Sequence, residues 1–112
     1  MELMCKHLGG VTVVVLTGVQ LDASTAAEFK SSIAPVLAEH SQIVFDLSPL
    51  GFVDSSGLGA LLSCLRHVQA KGGDLKLCSI SKPVRTLFEL VRMHKIFQIF
   101  DTQEGAIRAF QS

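Results

Sequence analysis

Asp54, Ser55, Ser56, Gly57, Leu58 and Gly59 follow one another directly after Phe52-Val53 and ahead of a leucine-rich segment. An acid, two hydroxyls and two glycines at such a junction suit four kinds of chemistry: a nucleophile, a phosphate cradle, a phosphorylation site, or a helix cap. A dinucleotide fingerprint needs G-x-G-x-x-G/A, but from Gly57 and Gly59 the third place falls on Leu62. A phosphate loop of the G-x-x-x-x-G-K-[ST] type needs a lysine, and none occurs between Lys30 and Lys71. An esterase elbow needs glycine two residues before and two after the serine, which neither Ser55 nor Ser56 has. Attack by a serine paired with a distant histidine stays open, because such triads are set by geometry and not by order in the chain.

Asp54 or Ser55 is suited to cap the helix that follows, an interaction worth about 1 kcal/mol. A cap needs one good acceptor, and three stand here in succession. Gly57 and Gly59 fall within the first turn or so, where each costs about 0.8–1 kcal/mol of helix propensity relative to alanine. They fit a surface that another backbone or a bulky group approaches closely.

The surrounding elements follow from periodicity. "VTVVVLT" (11–17) is β-branched and apolar at nearly every position, as in a strand covered on both faces. A strand at 3–8 is placed to pair with it. Thr25 and Glu28 have capping-box spacing, and Phe29, Ile33, Val36 and Leu37 recur at helical intervals. Pro35 removes a backbone donor inside that helix, so a kink or a new short turn is expected there. "QIVFDL" (42–47) and "DLKLCSI" (74–80) are further strands. Between them Leu58, Leu61, Leu62, Leu65 and Val68 form one helical stripe, with His67 opposite, and Gly72-Gly73 ends it. Val84, Leu87, Phe88 and Val91 mark a third helix, with Pro83 in its first turn. "KIFQIF" (95–100) is expected as a last strand and "TQEGAIRAFQS" as a closing helix. This alternation predicts right-handed crossovers and one α/β domain over residues 1–112, with a mostly parallel central sheet of four to five strands.

Composition narrows the function. Hydrophobic residues make up 48% of 112, enough for one real core, and ten basic side chains balance ten acidic ones. Without a basic run, the electrostatic footprint of a nucleic-acid binder is missing. Cys5, Cys64 and Cys78 are odd in number and lack C-x-x-C spacing, which favours a reducing compartment over a disulfide scaffold or a zinc knuckle. His7, His40, His67 and His94 are scattered, so no metal or other cofactor is expected. "GGVTVVVLTGV" reads as a buried strand and not as a signal peptide, and no apolar run approaches membrane-spanning length. A cytoplasmic protein without membrane insertion or nucleic-acid binding is expected.

"FVDSSGLGALL" resembles the signature of STAS domains of the anti-sigma-factor-antagonist family, in which a D-S-[ST]-G-[LI]-G stretch opens a helix. "LTGVQLDASTAAEF", "GGDLKLCSISKPVRTLFEL" and "HKIFQIF" are similar to further family segments in the same order, so the likeness spans nearly the whole chain. It implies a small sheet with helices mainly on one face. It also implies a binding module without catalysis of its own. By resemblance Ser55 is the acceptor for a partner serine kinase that doubles as the anti-sigma factor. The unphosphorylated form binds that kinase and frees a client; phosphorylation breaks the complex, and a serine phosphatase resets it. Asp54, Ser56, Gly57, Leu58 and Gly59 match the rest of the motif, and Asp22 matches an aspartate of the neighbouring loop. This patch is the implied partner interface. Gln20 stands where an acid is usual, and "RMHKIF" lacks the glycine often found before the last strand. A STAS scaffold subunit without a phosphorylation cycle, and a small serine hydrolase, are the rival readings.

Overall fold

The structure, a computed structural model, describes residues 2–111. Strand β1 (Leu3–Leu8) turns back through Gly9 and Gly10 into β2 (Val11–Leu16). Both glycines have positive φ, 56° and 85°, as a two-residue hairpin turn between antiparallel strands requires. β2 then pairs in parallel with β4 (Gln42–Asp46), β4 with β6 (Asp74–Cys78), and β6 with the short β7 (Ile99–Phe100), giving the order β1-β2-β4-β6-β7. Only β1 runs against the rest, as a mostly parallel five-stranded sheet demands.

Three helices cover one face: α1 (Ala26–Glu39), α2 (Ser55–Ala70) and α3 (Lys82–Leu90). Strand residues alternate between faces. Val14, Leu16, Phe45, Leu75 and Leu77 therefore meet Phe29, Ile33, Leu61, Leu65, Val68, Val84 and Phe88 in the main core. Val11, Val13, Val44 and Cys78 point the other way and are capped by Ala106 of α4 (Gln103–Gln111), with Ile107 and Phe110 beside it. The alternation explains why "VTVVVL" is apolar almost throughout: both of its faces are covered.

Three local expectations need correcting. The last strand spans Ile99–Phe100 and not 95–100; Met93–Lys95 is a 3-10 turn, entered through Arg92 at φ 64°. Met93 and Phe97 are both buried there, and the Phe97 amide bonds the Met93 carbonyl at 2.9 Å, so their spacing is that of a helical turn. Of the two outcomes expected at Pro35, a new short turn does not form; the helix runs through it to Glu39. Thr25 precedes α1 without a side-chain cap bond, its hydroxyl instead accepting from the Asp22 amide at 2.9 Å.

Candidate functional site

A second, two-stranded sheet organises the site. β3 (Gln20–Leu21) and β5 (Phe52–Val53) pair in parallel, Gln20 with Phe52 and Leu21 with Val53. Strands this short lack the alternation that marks a strand in sequence, so neither was expected. They bring the Asp22 loop beside the start of α2. The Asp54 amide extends the pairing by bonding the Leu21 carbonyl at 3.3 Å.

Asp54 then joins the two loops through its side chain. One carboxylate oxygen accepts from the Gly57 amide at 2.9 Å, making Asp54 the N-cap of α2. The other accepts from the Ala23 amide, in the Asp22 loop, at 3.1 Å. One residue thus caps a helix and ties two segments thirty-one positions apart. Ala23 is a partner that sequence could not offer, because it contributes only backbone.

Gly57 and Gly59 have different surroundings. A Cβ on Gly57 would lie 2.1 Å from the Leu21 carbonyl oxygen, so the backbone that approaches Gly57 belongs to this chain. A Cβ on Gly59 would meet nothing within 4 Å, and the residue is exposed. Leu58 between them is half-buried and packs on the main core.

Ser55 and Ser56 are the first two residues of α2, and both are exposed. Asp54 takes the Gly57 amide, so among the described residues neither serine amide has a protein acceptor and neither hydroxyl is hydrogen-bonded. No base therefore lies within hydrogen-bonding reach of Ser55 to draw off its proton, whereas two free amides and the positive end of the helix face outward beside it. A phosphoryl group on Ser55 would find donors here.

Asp22 lies in the neighbouring loop, in an Asx turn. Its Oδ1 accepts from the Ser24 hydroxyl at 2.6 Å and from the Ser24 amide at 3.0 Å, with the Thr25 hydroxyl at 3.3 Å. The Ser24 hydroxyl does most to hold the Asp22 carboxyl below its ordinary value, because these donors favour the charged form. Two exposed apolar side chains flank the acids: Val19 (69% exposed) and Phe52 (55%), on neighbouring segments joined by the bond from the Gly51 amide to the Val19 carbonyl. Sequence reasoning missed both. Val53 is buried and Phe52 points out, a difference that a two-residue apolar strand does not reveal in sequence.

Among the described residues no helix is long and apolar enough to cross a membrane. The STAS domain profile matches residues 2–106. An anti-sigma F factor antagonist of Paenibacillus polymyxa is 32% identical, over 96% of this chain and 92% of its own length. An anti-sigma factor antagonist from Mycobacterium paratuberculosis superposes with a TM-score of 0.88 at 25% identity, covering 99% of this chain and 94% of that one. The Bacillus cell fate determinant SpoIIAA shares the fold at 23% identity. Its unphosphorylated and phosphorylated forms each have a TM-score of 0.71, covering 99% and 97% of this chain and 99% of their own. The chain belongs to the STAS domain family, among relatives named anti-sigma factor antagonists.

Proposed function

We propose that this chain is a partner-switching antagonist controlled by phosphorylation at Ser55. Residues 1–112 act as one cytoplasmic STAS domain. Unphosphorylated, it binds a serine kinase that is also an anti-sigma factor, and the kinase's client is released. Phosphorylation at Ser55 ends the complex, and a serine phosphatase restores it. The observation that carries this reading is Ser55 itself, an exposed hydroxyl without an intramolecular bond at the open N-terminus of α2. Asp22, Asp54, Ser56, Leu58 and Gly59 surround it as the contact patch, Gly57 shapes the turn from inside, and Val19 and Phe52 extend the patch with apolar area.

The switch acts on the surface and not on the fold. A phosphate adds about −1.5 to −2 charges. The helix terminus favours that charge by about 0.3–1 kcal/mol, and repulsion from Asp22 and Asp54 offsets much of it. The Leu61–Leu65–Val68 stripe faces the sheet and is untouched. Stability therefore changes by no more than about 1–2 kcal/mol while partner affinity falls much further. That SpoIIAA in its two forms superposes equally well on this chain supports a fold that survives modification.

Incubation with the cognate kinase and ATP is expected to add one phosphate, located at Ser55 by peptide mass spectrometry. Ser55→Asp is expected to weaken kinase binding, and Ser55→Ala to bind constitutively and so trap the kinase from native cells. Modification at Ser56 alone, or unfolding on phosphorylation in paired denaturant melts, would overturn the reading.

A further inference from the structure

α1 and α2 pack side by side on the sheet, and an open groove of about 180 Å³ lies between them. Helix pairs normally close such a space by setting the ridges of one into the grooves of the other. Here the facing positions are too small to do so: Ala34 and Ala38 on α1, and Ser63 on α2. Ile33, Leu37 and Cys64 form an aliphatic floor, each almost wholly buried. Among the described residues, the only charged or titratable groups at the rim are Lys30 and His67, and neither makes a salt bridge there. Burial pushes the Cys64 thiol up to about 12, with the Lys30 ammonium pulling the other way, so the cation's field reaches the groove floor.

We propose that this groove binds a small carboxylate with an apolar body, the carboxylate facing Lys30 and His67 and the body lying over Ile33, Leu37 and Cys64. The charge pattern selects an anion, because no acidic side chain among the described residues lines the groove. The size selects a small molecule: a cavity of about 150 Å³ holds a benzene ring, so this space takes a body of roughly six to eight carbons. A protein side of ordinary interface size would need a far larger surface. The site is separate from the Ser55 patch. Ser63 lies eight residues along α2 from Ser55, which at 1.5 Å per residue is about 12 Å.

The test is a ¹H–¹⁵N titration of the unphosphorylated protein with octanoate, beside neutral octan-1-ol. Saturable shifts are expected at residues 30–38 and 63–67, with a dissociation constant on the order of 0.1–1 mM. Octan-1-ol, and octanoate on Lys30→Gln, are expected to bind at least about tenfold more weakly. Ala34→Leu puts a side chain into the groove from an exposed helical position and is expected to abolish binding while the melt stays unchanged. Ala38→Leu serves if Ala34→Leu does not fold. Absence of saturable shifts up to about 10 mM, equal binding of octan-1-ol, or undiminished binding by a folded groove-filling variant would each overturn the proposal.

Discussion

The two ends of α2 carry the same equipment and use it differently. At each end one glycine is pressed against a backbone carbonyl of this chain: Gly57 against Leu21, and Gly73 against Ser41, each with a Cβ position 2.1 Å from the oxygen. At each end a second glycine stands in open space. Gly72, at the C-terminal end, has φ +83°, a left-handed conformation that a side chain would strain, so the helix stop itself requires it. Gly59, at the N-terminal end, is inside the helix, has no positive φ, and has no neighbour within 4 Å. The fold accounts for three of these four glycines. Gly59 alone is not accounted for by the fold, and that sets it apart from the other three in the proposed contact patch.

The C-terminal end is also closed by its own chain. Lys71 Nζ donates to the Leu37 and His40 carbonyls, and the Asp74 amide bonds the Ser41 carbonyl at 2.8 Å. At the N-terminal end Asp54 spends both carboxylate oxygens on backbone amides and leaves the serines free. A closed end anchors the helix, and an open end presents it.

The largest effect is expected where both ends are alike. Gly57→Ala and Gly73→Ala each force a backbone shift, since the atom met is a carbonyl oxygen and not the tip of a flexible side chain. Each is expected to cost about 3 kcal/mol, at the upper range of overpacking. Paired urea melts decide this, and a Gly57→Ala protein melting with the wild type would dissolve the parallel between the ends.

Asp54→Ala comes next, with a loss of about 2 kcal/mol: a cap worth about 1 kcal/mol and a second bond of similar size. Asp54→Asn keeps one acceptor oxygen and is expected to recover roughly half. Hydrogen exchange should show the Ala23 and Gly57 amides losing protection together in Asp54→Ala. Independent loss would separate the cap from the loop tie.

How much of this was legible in the sequence depends on the length of the pattern. β2, β4 and β6 are apolar runs of five or six residues and the apolar stripes of α2 and α3 recur at helical intervals, all long enough to read. β3 and β5 are two residues each and carry no period at all, so the sheet that brings Asp22 to Asp54 was invisible. "KIFQIF" is a short apolar run of strand length, yet Arg92 turns left-handed and Phe97 folds into the core beside Phe88, shortening β7 to two residues. In the site, the motif located Ser55 and Asp54, whereas the different fates of Gly57 and Gly59 depend on Leu21, a residue far away in sequence.

Gly59→Ala is expected to act in the opposite direction from Gly57→Ala. Nothing obstructs the added methyl, so the fold should gain about 0.8–1 kcal/mol of helix propensity. Kinase affinity is expected to fall at the same time, because the methyl occupies the surface a partner must approach. A melt and a binding isotherm on the same sample check both signs. A variant that is stabilised and binds normally would leave Gly59 without a role.

The smallest effect concerns the loop opposite the open end. The Asp22 carboxyl titrates below 3.8 in the folded protein, chiefly because the Ser24 hydroxyl bonds it. A lowered carboxyl value means that the folded state holds its proton less tightly than the unfolded chain does. The contribution of Asp22 is therefore fully present above 3.8 and disappears as pH falls through the folded value. Near neutral pH the loop is insensitive to pH, and only strong acid should loosen it. Following the Ser24 amide through an acid titration should give a midpoint below 3.8. Ser24→Ala should move that midpoint upward more than Thr25→Val does, since the Thr25 hydroxyl is the more distant donor, at 3.3 Å against 2.6 Å. The change stays local, because the Asp54–Ala23 bond still ties the loop to α2 when Asp22 is protonated. If instead Ser24→Ala left the midpoint in place, the low value would have to come from the remaining donors of the turn, the Ser24 amide and the Thr25 hydroxyl and amide, and Asp22 would be held mainly by the backbone of its own loop.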